Sequence, residues 1–227
     1  MKAKILLIGC LLATIAGTKA NAAGVLAMND ITTTPTPTTT PYTTGMVSDP
    51  NIFASGISIG AGLSGTASVP GAYTANSWST GASIGATDYL SFTIDANTGY
   101  EISFSSIDFN TQRSSNGPSS AVVEYSLDGG NTFQTIGSVI IINQAATAYS
   151  FDTSGISDIQ NLEDPITFRL YGYNARNNGG TLSINNYSFN GSVEAVPEPQ
   201  SLMLIGVGSL LMFGYLKRAR KETDAMA

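Results

Sequence analysis

From about Asn51 the chain alternates apolar and polar residues with a period of two, in short runs cut by glycine, asparagine and aspartate. That pattern constrains the fold more than any other feature, because a helix needs apolar residues at a period near 3.6 and no useful length of the chain shows it. The run "DYLSFTID" sets Leu90, Phe92 and Ile94 against Ser91 and Thr93. In "YEISFSSIDF", Ile102 and Phe104 share one face, and the register shifts before Ile107 and Phe109. The run "PITFRLYGYN" turns Ile166, Phe168 and Leu170 inward and leaves Arg169, Tyr171 and Tyr173 on the other face. "GTLSINNYSFNGSV" closes the series, and "SGISDIQNLED" has room for one helical turn. Roughly eight short strands separated by such turns predict an all-β, antiparallel sandwich of the jelly-roll kind over residues 51–195.

The sharpest local motif is "SLDGGNTF". Two strands in "AVVEYSLDGGNTFQTIG" meet at Asp128-Gly129-Gly130-Asn131, a strong hairpin signal. Ser126, Asp128, Gly130 and Phe133 fit the Asp-box turn, Ser-x-Asp-x-Gly-x-Thr-aromatic, which resembles the turns of sialidase propellers. Asp128 can hold backbone N–H groups across the turn while glycine takes positive φ. Such a turn folds a hairpin and does not cut sugars; a sialidase would carry several of them.

Charge and residue usage narrow the chemistry. Residues 23–195 hold thirteen acidic and three basic residues, a net of −10, and no lysine. Nucleic acid is excluded as a partner, since phosphate binding needs basic side chains. Histidine is absent and Cys10 is the only cysteine, inside the first apolar run. Disulfides, zinc on nitrogen or sulfur, thiol nucleophiles and serine–histidine relays therefore fall away for residues beyond that run.

Both ends read as routing signals. Lys2 and Lys4, an apolar run from Ile5 to Gly17, and the small-x-small Ala20-Asn21-Ala22 predict a secretory signal over residues 1–22, cleaved by signal peptidase. Leu7-Ile8-Gly9-Cys10 is a loose lipobox and the weaker alternative. "ITTTPTPTTTPYTTG" predicts an extended Thr/Pro-rich disordered linker over residues 23–50, open to O-linked sugars. Ser201–Leu216 carries no charge, and as one transmembrane helix would span about 24 Å. Lys217, Arg218, Arg220 and Lys221 follow as a cytoplasmic basic anchor, so the preceding domain faces outward.

Pro197-Glu198-Pro199 stands just ahead of that span, and two prolines around a glutamate enforce extended backbone. From Val196 to about Lys221 the tail resembles the PEP-CTERM sorting signal of bacterial envelope proteins: Val-Pro-Glu-Pro, a short glycine-containing span and a basic end. Residues 222–227 run slightly past the family's usual stop. The resemblance implies a substrate of exosortase, a membrane-embedded transpeptidase-like enzyme. The protein would cross the inner membrane, be held there transiently, and pass to the cell surface or extracellular polysaccharide. An uncleaved anchor is the alternative. Through "DYLSFTI", "YSLDGG" and "ITFRLYGYNA", the run from about Trp78 to Val193 is similar to jelly-roll ectodomains found ahead of such tails.

For function, the reading is a non-catalytic surface or matrix protein, with no cofactor required. A carbohydrate-binding module holding exopolysaccharide is the first alternative, and a two-carboxylate glycan hydrolase is the second. Candidate glycan contacts are Trp78, Arg169, Tyr171 and Tyr173, because aromatic faces stack on sugars and arginine grips sugar acids. Against them stand core packing for Trp78, sheet-face cover for the tyrosines, and an internal acidic pair for Arg169 or Arg113. Candidate calcium ligands are Asp88, Asp108 and Asn185, oxygen donors at strand ends or beside loops.

Overall fold

The computed structural model describes residues 24–31 and 38–196, with the single positions 208, 212 and 213. Two antiparallel sheets face each other. In one, β11 (Thr147–Asp152), β8 (Tyr100–Arg113), β13 (Leu182–Ala195), β1 (Gly24–Asp30) and β2 (Met46–Ser48) lie side by side in that order. β6 (Tyr73–Asn76) also pairs with β13, and β5 (Ser64–Gly65) with β6. In the other, the order is β10 (Gln134–Ile141), β9 (Ser120–Ser126), β12 (Ile166–Tyr173), β7 (Tyr89–Ala96) and β3 (Ile52–Ala54). β4 (Ser58–Ile59) pairs with β7 as well. Setting β1-β13-β8-β11 against β7-β12-β9-β10 gives the strand order of a jelly roll, two Greek keys wound together.

The alternation seen in the sequence is the inside–outside alternation of the strands. Leu90, Phe92 and Ile94 of β7 and Ile166, Phe168 and Leu170 of β12 are all buried between the sheets. The facing sheet supplies Ile102, Phe104, Ile107, Phe109, Tyr187 and Phe189. Phe92 sits 4.9 Å from Tyr187 and 5.3 Å from Phe189, and Phe168 lies 5.1 Å from both Phe104 and Phe189. Tilted and edge-on pairs of this kind add to the stabilisation given by area burial alone. The register shift in β8 is a bulge: Phe104 pairs with Gly191 while Ser106, two residues on, pairs with the adjacent Asn190.

The Thr/Pro-rich linker expected over residues 23–50 requires correction. β1 lies between β13 and β2, pairing Met28 with Ser188 on one side and with Val47 on the other. Leu26, Ala27 and Ile31 are buried, and so is Tyr42, which bridges Ile57 through hydrogen bonds of 2.8 and 3.1 Å. The alternation in "GVLAMND" is that of a strand, and adjacency to threonine and proline hid it. The folded module already includes the strand from Gly24, well ahead of residue 51; residues 32–37 lie outside the described residues.

Residues 1–22 and 197–207, and the basic cluster, also lie outside the described residues, so the signal peptide and spanning helix are not described. Among the described residues no helix is long and apolar enough to cross a membrane. The single helical turn in "SGISDIQNLED" is a 3-10 turn at Ser157–Ile159.

Candidate functional site

The hairpin between β9 and β10 is tied by one carboxylate. Asp128 Oδ1 accepts from the amides of Asn131 and Thr132 at 3.0 and 2.9 Å and from the Ser126 hydroxyl at 2.7 Å. Its Oδ2 accepts from the Thr132 hydroxyl at 2.7 Å. The Gly130 amide donates back to Ser126 Oγ at 2.9 Å, with Gly129 and Gly130 at φ of 70° and 92°. These donors, the Thr132 amide first and the Thr132 and Ser126 hydroxyls next, hold the Asp128 carboxyl well below the usual carboxylate range. The turn delivers Phe133 onto the outer face of the six-stranded sheet, where it meets Arg169.

Arg169 is the centre of an aromatic cage. Its guanidinium carbon lies 3.8 Å from the Tyr89 ring centroid and 4.0 Å from that of Phe133. The rings arrive from opposite sides of β12: Tyr89 from β7, Phe133 from the β9–β10 turn. Tyr171 stands edge-on to both, at 5.4 and 6.4 Å, and its hydroxyl accepts from Arg169 Nη1 at 3.0 Å. Burial pushes the Tyr171 hydroxyl up in pKa, and the hydrogen bond from Arg169 opposes it. Stacking on two rings stabilises a cation electrostatically while leaving the in-plane edges of the guanidinium for hydrogen bonding. One such donor, Nε, is buried with no hydrogen-bond partner. Glu124 sits directly across the strand pair from Arg169, and its carboxylate accepts from Thr135 Oγ1 at 3.4 Å.

The sequence-level candidates divide on this frame. Arg169 and Tyr171 come together, with Tyr173 two residues further along the same face of β12; Tyr171 itself is 4% exposed, so its ring edge packs the cage. Trp78 does not join them. It is fully buried, its indole N–H donates to the Ala75 carbonyl at 2.8 Å, and it covers Gly172 so closely that a Cβ there would lie 2.7 Å from the indole. A tryptophan with no exposed face cannot stack on a sugar, so Trp78 is corrected from glycan candidate to core. Arg113 has no acidic clamp in this arrangement. Its Nε donates to the Ile142 carbonyl at 2.8 Å and its Nη1 to Ser114 and Ser115 carbonyls at 3.1 and 3.3 Å, which fastens two loops.

The calcium candidates hold separate partners. Asp108 accepts from Asn190 Nδ2 at 2.6 Å and from the Ser106 and Ser188 hydroxyls at 3.2 and 3.3 Å. Asn185 donates to the Gly71 carbonyl at 3.3 Å, and Asp88 accepts from Thr87 Oγ1 at 3.1 Å. Asp88 and Asp108 already accept from neutral donors, Asn185 Oδ1 is buried without a partner, and the three share no contact, so Asp88, Asp108 and Asn185 do not form one ligand set, which corrects the expectation of a calcium site built on them.

Tyr89 and the Phe133–Arg169 contact were missed in the sequence. Tyr89 alternates with Leu90 and so had to face outward; what no single strand reveals is that β7 lies beside β12.

The chain carries a PEP-CTERM protein-sorting motif, matched over residues 195–221, which implies export and sorting by an exosortase. The motif begins inside the last strand, whose final residue is Ala195. No curated protein matches the chain by sequence. Among solved structures it is similar to a family 29 carbohydrate-binding module, at 14% identity over 74% of this chain and 89% of that one, TM-score 0.40. A family 29 carbohydrate-binding module from Piromyces equi matches at 10% identity over 63% and 83%, TM-score 0.39. The N-terminal cellulose-binding domain of Cellulomonas fimi β-1,4-glucanase C matches at 11% over 66% and 92%, TM-score 0.33.

Proposed function

We propose that this is a non-catalytic protein of the cell surface or extracellular matrix, a jelly-roll module carried outward and sorted through its tail. The observation that carries this reading is the direct continuity of module and signal: β13 runs into the PEP-CTERM motif at Ala195 with no intervening linker. Signal peptidase acts at the front of the chain, the inner membrane holds the tail transiently, and exosortase acts at Pro197-Glu198-Pro199.

The Arg169 cage favours a second reading, that the module also holds anionic exopolysaccharide. Arg169 is partly exposed as a whole, and a guanidinium is the side-chain group whose planar fork suits a sugar carboxylate. The neighbouring rings of Tyr89 and Phe133 add apolar area against which a sugar ring can rest.

The test is retention of the protein, purified from the cell surface, on exopolysaccharide of the source organism. Saturable retention that Arg169→Gln weakens at least tenfold, with the thermal transition preserved, supports the polysaccharide reading. Retention unaffected by Arg169→Gln removes the cage from it. Release of reducing ends from the polysaccharide would overturn the non-catalytic assignment.

A further inference from the structure

The end of β13 is weakly held. Among the described residues β1 accompanies β13 as far as the Gly24–Gly191 pair, and beyond it Ser192 to Ala195 pair with β8 alone. No residue from Ser192 to Val196 is fully buried, and Val193 is the last whose side chain packs against the core. The next pair sets Glu194 directly opposite Glu101. Like charges facing each other across an antiparallel pair destabilise it, where most cross-strand pairs contribute favourably. Ala195 is exposed opposite Tyr100, and the final tie is a single hydrogen bond, Val196 N–H to the Gly99 carbonyl at 2.8 Å. Pro197 follows immediately. Three further carboxylates, Asp95, Glu163 and Asp164, line the groove beside Gly99 and Tyr100, so this end of the strand lies in acidic surroundings.

An enzyme that reads a short extended motif needs extended backbone on both sides of it, and a strand zipped into a sheet does not supply it. We propose that Glu194–Val196 unzips from β8 to admit the sorting enzyme, so that the segment it engages begins inside the folded module rather than at Pro197. This rests on the sorting role of the tail. Three freed residues provide about 10 Å of extended chain, and Val193, the last side chain packed against the core, marks where the fraying stops. The Glu101–Glu194 pair sets how readily the segment opens: local openings with few buried contacts are the low-energy ones.

Pulse–chase of the full-length chain in the source organism tests it. Glu101→Lys replaces repulsion by attraction at a position outside the motif and is expected to slow tail processing about three- to tenfold. Hydrogen exchange at the Val196 amide should slow in the same variant, and an unchanged thermal transition shows that the module still folds. A ten-residue Gly/Ser insertion between Glu194 and Ala195, ahead of the matched motif, supplies free chain and is expected to restore the wild-type rate to Glu101→Lys. Processing of Glu101→Lys at the wild-type rate overturns the proposal, as does an insertion that slows processing, which would make the zipped end itself the docking surface. Pro197→Ala/Pro199→Ala separates the two levels: if that variant is processed normally, the sorting reading fails first and the unzipping falls with it.

Discussion

At the scale of single residues, the chain's one tryptophan and its hairpin aspartate show how the same sequence signal can serve packing or binding. Trp78 has no exposed surface and closes over Gly172. Trp78→Ala is expected to cost about 3–5 kcal/mol, the range for removing a buried aromatic, measured by urea denaturation; a loss of polysaccharide retention with stability intact would contradict its place in the core. Asp128 makes a different prediction. Its carboxyl pKa is depressed by hydrogen bonds that favour the charged form. Such a group adds stability that is fully present above its unfolded value, about 3.9, and that is lost as pH falls through the folded value. Asp128→Asn should therefore lower the urea midpoint at pH 7, and its deficit relative to wild type should shrink at pH 3. An equal deficit at both pH values would show that the charge on Asp128 is not what ties the turn.

At the scale of elements, β7, β8, β9, β10, β12 and β13 were legible as short apolar-rich runs ending in turn residues, whereas β11 was not read as a strand. Ile166, Phe168 and Leu170 point inward while Arg169 and Tyr171 point outward, as a period of two requires. The bulge in β8 was visible as a break in that alternation. β1 was not legible as a strand: only three of its seven residues are buried, it lies beside a threonine- and proline-rich stretch, and composition outweighed periodicity. β2 to β6 span two to four residues each, too few for alternation to show. The cage was half legible. Arg169 and Tyr171 follow from one strand, but Tyr89 and Phe133 arrive through the order β9-β12-β7, which is a property of pairing and not of any run of residues. The correction at β1 is measurable. Leu26 is 2% exposed, so Leu26→Ala is expected to destabilise the protein by about 2–5 kcal/mol. In a disordered tether the same change would leave the urea midpoint where it was.

At the scale of the whole molecule, a rigid sandwich and a processing signal share one strand. β13 lies centrally in its sheet, between β8 and β1, so the element that completes the core is also the one that leads into the tail. Under the proposed unzipping, that arrangement would couple folding to sorting. A chain whose β13 has not docked would present the tail on an unfolded body, and a chain that has docked presents it at a fixed edge of the module. Against the net charge of −10 on residues 23–195, Arg169 stands framed by two rings on the outer face of its sheet. The most direct measurement is the fate of the full-length chain when Pro197 and Pro199 are both changed to alanine, followed by cell fractionation and mass of the recovered protein. The account predicts that the intact, membrane-held form accumulates and that the surface or shed form disappears. Recovery of a shortened protein at the surface in normal amounts would contradict it.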